Sequence, residues 1–204
     1  MNLQMLKSIL FASLIIILAV AAVSGSGLDK VMSAFAEARM INFDVRISVV
    51  SEIFGSTDTT FGDITIADDG RYAAHIGNDS YIFDGKCIWE YSADNNQATK
   101  SCLKEGELFE NEFFFIKNLR KYYKVALEKE DTLFLLVKTN PESNQLPDSL
   151  NMILREGRIS DMDYFDLNRD LNRVHIIHES LFDKVDPTVF KAEFPDSTEV
   201  ISLP

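Results

Sequence analysis

The chain has 204 residues, 46% of them hydrophobic and 25% charged, enough for one globular domain with a sizeable core and too few for two comfortable ones. Its formal net charge is -12, and none of the 32 acidic residues lies before residue 25. A body so acidic is repelled by phosphate backbones and by anionic lipid headgroups, which argues against nucleic-acid binding and electrostatic membrane adsorption.

In residues 1–24 a lone Lys7 precedes an apolar run from Ile9 to Val23, followed by Ser24, Gly25, Ser26 and Gly27. The run falls short of the roughly 20 apolar residues that cross a bilayer and has small residues where a signal peptidase would cut. It reads as a secretory signal peptide cleaved near residues 21–25, with an uncleaved anchor as the competing reading. The mature domain, 25–204, is then exported, to the periplasm in a Gram-negative cell. Leu28 to Met40 sets Leu28, Val31, Met32, Phe35 and Ala38 at three- and four-residue spacing, the apolar stripe of a short helix. Phe43, Val45, Ile47 and Val49 alternate with Asp44, Arg46 and Ser48, which predicts a strand buried on one face.

From Phe61 to Cys102, turn signals at Asp69-Gly70, Gly77-Asn78, Asp84-Gly85 and Asp94-Asn95 divide period-two runs into an antiparallel meander. Tyr72, Tyr81, Phe83, Trp89 and Tyr91 fall on alternating positions and are expected to make an aromatic-rich concave face. Cys87 and Cys102 are symmetric about Asp94-Asn95, so a two-residue loop sets them opposite one another, near enough to bridge. An oxidising compartment favours the disulfide, and two buried free thiols are the alternative.

Residues 107–123 (ELFENEFFFIKNLRKYY) have polar positions at helical spacing and four consecutive apolar residues, Phe113 to Ile116. A helix apolar over so much of its circumference has to touch two things, either as a lid on the sheet or wedged between sheet and loop. Strands follow at 123–127, 133–138, 150–155, 158–165 and 173–179, with a hairpin at Glu156-Gly157, a loop over 139–149 and an optional edge strand at 189–194. The sum is about ten or eleven antiparallel strands and two or three helices. The fold class is mainly β (α+β): one strongly curved sheet, an incomplete β-barrel with helices on its open side.

Chemistry is sparse. His175 and His178, three apart in a strand, are expected on opposite faces, and His75 stands far off in sequence, so no metal site is assigned. Asp166, Asn168 and Asp170 have the opening spacing of a calcium loop, but Leu171 and Ile177 occupy the positions that need glycine and glutamate. No G-x-S-x-G, C-x-x-C or glycine-rich phosphate loop occurs, and no cofactor or enzymatic activity is assigned.

Several motifs appear in an order that resembles the periplasmic outer-membrane lipoprotein carrier proteins, the LolA family. They are Gly62-Asp63-Ile64-Thr65-Ile66, Tyr72, Asp84-Gly85-Lys86-Cys87-Ile88-Trp89-Glu90-Tyr91, Gln97-Ala98-Thr99, Asp186-Pro187 with Phe190, and Phe194-Pro195 before Val200-Ile201. The resemblance implies a lidded, incomplete barrel around an apolar cavity. It also implies lipoprotein acyl chains as cargo, an inner-membrane ATP-driven releasing complex as donor and an outer-membrane receptor as acceptor, with the carrier a monomer. On that basis the lipid cavity is assigned to Phe43, Val45, Ile47, Ile64, Ile66, Tyr72, Phe83, Trp89 and Tyr91, and the lid to Phe113, Phe114 and Ile116. The family's arginine-proline pair after the Gly62–Ile66 strand is replaced by Asp68 and Asp69, so Arg71 becomes the candidate lid latch. A stationary lipid-binding or envelope-sensing module on the same fold is the alternative, and a secreted hydrolase a third.

Overall fold

The computed structural model describes residues 25–104, 114–141 and 146–203. Helix α1 (Gly27–Glu37) begins at a capping box: the Ser26 hydroxyl accepts from the Asp29 amide, and the Asp29 carboxylate accepts from the Ser26 amide. Its stripe of Leu28, Val31 and Phe35 is buried against the sheet, and the helix ends at Glu37, three residues short of the expected end, with Ala38 already extended. The Gly27 amide donates to Asp131, which seats the helix start on a neighbouring turn.

The strands are β1 (Met40–Ser51), β2 (Ser56–Ala67), β3 (Tyr72–Ile76), β4 (Asp79–Phe83), β5 (Cys87–Ser92) and β6 (Gln97–Cys102). A 3-10 turn (Phe114–Asn118) leads into α2 (Leu119–Tyr122), and β7 (Tyr123–Lys129), β8 (Leu133–Lys138), β9 (Ser149–Arg155), β10 (Arg158–Phe165), β11 (Leu171–Phe182) and β12 (Glu199–Ser202) follow. Among the described residues these twelve form one sheet in the order β12-β6-β5-β4-β3-β2-β1-β11-β10-β9-β8-β7. All neighbours are antiparallel except β12, which runs parallel to β6. The sheet curves strongly without closing into a barrel, the fold class expected from the sequence.

Two local meanders, β1 to β6 and β7 to β11, meet at the long β1–β11 pair, Met40 opposite Phe182 through Val50 opposite Leu171. The concave face carries the main core, where α1 and the 114–122 segment lie on Ile41, Phe43, Ile66, Tyr72, Phe83, Leu136, Leu150 and Met152. Each such side chain stabilises the fold by about 1.5–3 kcal/mol on burial. The convex face carries a smaller cluster, Met40, Ala67, Ala73, Ile82 and Phe190, with Trp89, Val185, Val189 and Ala192 packed on it.

The expected edge strand at 189–194 does not form. Pro187–Phe190 is a 3-10 turn, started by Asp186 accepting from the Thr188 amide, and the edge strand is β12 instead. β2 starts five residues before Phe61, because its polar Ser56–Thr60 end pairs with β1 in the exposed part of a long hairpin. Cys87 pairs with Cys102 and the two are joined by a disulfide; the symmetry about Asp94-Asn95 holds, but Ser92 opposite Gln97 makes the loop four residues, 93–96, rather than two.

Candidate apolar cleft

Between the concave face and the 114–122 segment lies an apolar cleft of about 90 Å³, lined by Phe43, Val45, Ile47, Ile64, Ile66, Phe115, Ile116, Met162, Tyr164, Val174 and Ile176. Four strands supply its wall in register: Ile47 faces Val174, Met162 faces Val174, and Phe43 faces Ile64. Side chains directly opposed in a pair share a face, so these alternations meet on one surface. Burial fades along β1, from Phe43 and Val45, which are fully covered, to Ile47 and Val49, which are half covered. Phe35 of α1 packs on Phe43 with ring centres 5.7 Å apart, which covers that end of the cleft, and the wall grows more exposed toward Ile47 and Val49 at the other.

The roof is held by polar ties. The Lys117 amine donates to the Ala38 carbonyl, and Arg120 pairs with Asp29 on α1. Burial lowers the Lys117 pKa, and Arg39 lowers it too, against an opposing pull from Asp68 and Asp69. The Arg120 bond holds Asp29 below its ordinary value, with Ser26 adding to it and burial opposing it. Phe115 packs on Tyr123 with ring centres 5.7 Å apart, and the Tyr123 hydroxyl donates to the Pro147 carbonyl at 2.8 Å. Burial pushes that phenol far up, so it stays a donor.

Of the assigned cavity residues, Phe43, Val45, Ile47, Ile64 and Ile66 line the cleft, as does Ile116 from the lid. Tyr72 and Phe83 belong to the same concave core away from the cleft, their rings 6.1 Å apart. Trp89 and Tyr91 do not belong there. Phe83 pairs with Ile88 and Ile82 with Trp89, so the inward residue of β5 is Ile88 and Trp89 joins the convex cluster. The Tyr91 ring stacks on Phe194 at 4.9 Å, the Trp89 ring lies 6.0 Å from Phe194, and the Trp89 Nε1 donates to Asp84 at 3.1 Å.

Arg71 is also on the convex side. Its guanidinium pairs with Asp69 at 2.7 Å and lies 5.0 Å from the centre of the Phe190 ring, so it braces the C-terminal segment rather than the roof. Phe113 lies outside the described residues, and Phe114 starts the 3-10 turn. Sequence reasoning missed Phe115, Met162, Tyr164, Val174 and Ile176. Alternation within 158–165 and 173–179 carried the signal for the last four, but a bulge between Ile159 and Asp161 hid the phase in β10.

A second bulge corrects the histidines. Val45 pairs with Ile176 and Asp44 with His178, which leaves Ile177 over and turns His175 and His178 to the same, convex face. His175 Nδ1 bonds Asp161 at 2.8 Å. Burial raises Asp161, but the His175 and Ser160 bonds outweigh it and leave the carboxyl below its usual range. Among the described residues no group of three histidine, cysteine or acidic side chains is placed to hold a metal ion. Nor is any helix among them long and apolar enough to cross a membrane.

No family model matches this chain, and no curated protein does either. Solved structures do. An uncharacterized conserved protein from Thermus thermophilus is similar with a TM-score of 0.51 at 9% identity, over 87% of this chain and 97% of its own. A LolA superfamily protein from Nitrosomonas europaea gives 0.44 at 7% identity, over 83% and 99%. A DUF1329 family protein from Desulfovibrio piger gives 0.45 at 10% identity, over 81% and 95%. At such identities the likeness is one of fold alone.

Proposed function

We propose that this LolA-like chain is a periplasmic carrier that takes lipoprotein acyl chains into the cleft under residues 114–122 and shuttles them from inner to outer membrane without chemistry. The observation that carries the reading is the cleft itself, a continuous apolar wall roofed by Phe115 and Ile116. Buried hydrocarbon gains about 0.8 kcal/mol per methylene, so an acyl chain crosses water only if something covers it. At about 90 Å³ the cleft is smaller than the ~300–1,000 Å³ of ordinary ligand sites. On this reading the cleft is seen closed, and an acyl chain enters when the roof lifts off the two polar ties to Ala38 and Asp29.

The motif order from Gly62 to Ile201 supports the same reading, and with it the donor and receptor that the resemblance implies. The site assignment becomes Phe43, Val45, Ile47, Ile64, Ile66, Phe115, Ile116, Met162, Tyr164, Val174 and Ile176. Solvent extraction of the protein purified from its own compartment is expected to yield acyl chains. Incubation with inner-membrane vesicles carrying the releasing complex is expected to bring lipoprotein into solution. Extracts free of acyl chains, together with no release, would refute the carrier. Acyl chains without release would leave the stationary lipid-binding module.

A further inference from the structure

The sheet end toward which the cleft wall becomes exposed carries the three most exposed large apolar side chains among the described residues, Leu167, Phe54 and Ile53. The turn between β1 and β2 presents Ile53 and Phe54, 79% and 82% exposed. The turn between β10 and β11 presents Phe165 and Leu167, 57% and 84% exposed. The two turns are neighbours, because β1 and β11 pair to their ends with Val50 opposite Leu171. Tyr164 and Ile47, which line the open half of the cleft, stand one and six residues from Phe165 and Ile53.

The second turn is built to hold its shape. One Asp166 carboxylate oxygen accepts from the Asn168 amide at 2.8 Å and the Asp170 amide at 3.0 Å, and the other accepts from the Asn172 side chain at 3.2 Å. That network leaves Leu167 standing outward. In a monomer in water these four side chains are a liability, and exposed apolar groups gathered at one place mark a contact surface.

We propose that this end of the protein docks on a zwitterionic lipid surface, with Ile53, Phe54, Phe165 and Leu167 entering the headgroup layer and the open end of the cleft set against it. The proposal rests on the acyl-carrier reading, since it says where the cargo passes. A stable protein interface covers about 800 Å² per partner with fitted surfaces. Two narrow turn tips offer no such face. The headgroup and acyl boundary accepts apolar side chains to a depth of about 5–10 Å without shape fitting. The sign of the neighbouring charge selects the lipid. Glu52, Asp58, Asp166 and Asp170 flank the tips against the single Arg169, which repels an anionic surface and leaves a zwitterionic one.

The test uses the whole chain with Phe54→Cys carrying an environment-sensitive fluorophore, and Lys184→Cys, at the opposite end of the sheet, as its counterpart; Leu167→Cys is a second reporter. Phosphatidylcholine vesicles are expected to blue-shift the label at 54 and at 167 and to leave that at 184 unchanged. Adding Leu167→Ser to the Phe54→Cys chain is expected to weaken vesicle binding about tenfold. Replacing a third of the lipid by phosphatidylglycerol at low salt is expected to weaken it as well. No shift at 54 and 167, or an equal shift at 184, would overturn the proposal. So would a shift that grows with protein concentration in the absence of vesicles, which would assign the tips to a second copy of the chain. If acyl chains are extracted but the labels stay silent, this inference falls and the carrier stands. If the labels respond but no acyl chain is extracted and no lipoprotein is released, the carrier falls and the tips remain a lipid contact.

Discussion

Replacing Ile47 by glutamate separates the concave wall from every other apolar surface of the molecule. The side chain lies half-buried on β1, opposite Thr60 and Val174, where the cleft opens. A guest hydrocarbon laid along that wall loses the isoleucine contact, about 1.5–3 kcal/mol. It also meets an unpaired carboxylate, whose desolvation costs several kcal/mol. At about 1.4 kcal/mol per tenfold in affinity, the two together lower binding more than a hundredfold. Because the site is half open, the new carboxylate reaches water in the unloaded protein, and folding stability falls by only about 1 kcal/mol. The assay is the Kd for a palmitoylated peptide by fluorescence displacement, with a melting curve on the same samples. Trp89→Ala is the companion: it strips contacts to Phe194, Lys100 and Asp84 from the convex face. It is expected to lower the melting temperature and leave the Kd alone. A folded Ile47→Glu protein that binds as tightly as wild type, or a Trp89→Ala protein that loses binding, would refute the assignment of faces.

Three further outcomes are expected. Changing Cys87 and Cys102 together to serine removes a bridge across a sequence separation of 15 and should lower unfolding free energy by about 3 kcal/mol, read from denaturant midpoints; identical curves with and without reductant would contradict it. Asp29 has a folded-state pKa held below 3.8 by Arg120, so the roof tie contributes stability above that value and loses it as pH falls through the folded one. Release of a preloaded fluorescent acyl chain should therefore quicken only below about pH 4, whereas Asp29→Asn should release faster at pH 7 and show no acid step; acceleration of the wild type between pH 7 and 5 would count against this tie. Gly62→Ala would drive its new methyl to 2.2 Å from the His75 carbonyl oxygen, within the β2–β3 pairing. Loss of several kcal/mol is expected, and a stable variant in chemical denaturation would show that the two strands yield more easily than their register implies.

Much of the fold was legible because its turns announce themselves. The Cys87–Cys102 hairpin followed from symmetry about Asp94-Asn95, and the inner face of β1 and β2 followed from clean alternation of apolar and polar residues. The aromatic face was misread for a definite reason. Alternation holds within a strand, but each turn resets its phase, and the turn after Phe83 places Ile88 opposite it, so Trp89 and Tyr91 change sides. Bulges did the same to β10 and β11, where one surplus residue each moved Met162 and Tyr164 into phase with Ile159 and brought His175 and His178 to one face. The latch failed through local competition: Asp69, two residues away, takes the Arg71 guanidinium before any distant roof can. Pattern carries no information about such choices, because they are settled by which partner the folded backbone brings nearest.

The single seam between the two meanders has a kinetic consequence. Strands β1 to β6 and β7 to β11 each find their neighbours nearby in the chain, but Met40 must meet Phe182 before the halves share one wall, and Val200 must return to Ala98 before the Trp89 side is covered. Such long closures come late, after the hairpins have formed. Until the seam zips, both greasy surfaces face water at once, so the interval between synthesis and closure is when this chain most needs to be kept apart from its own copies.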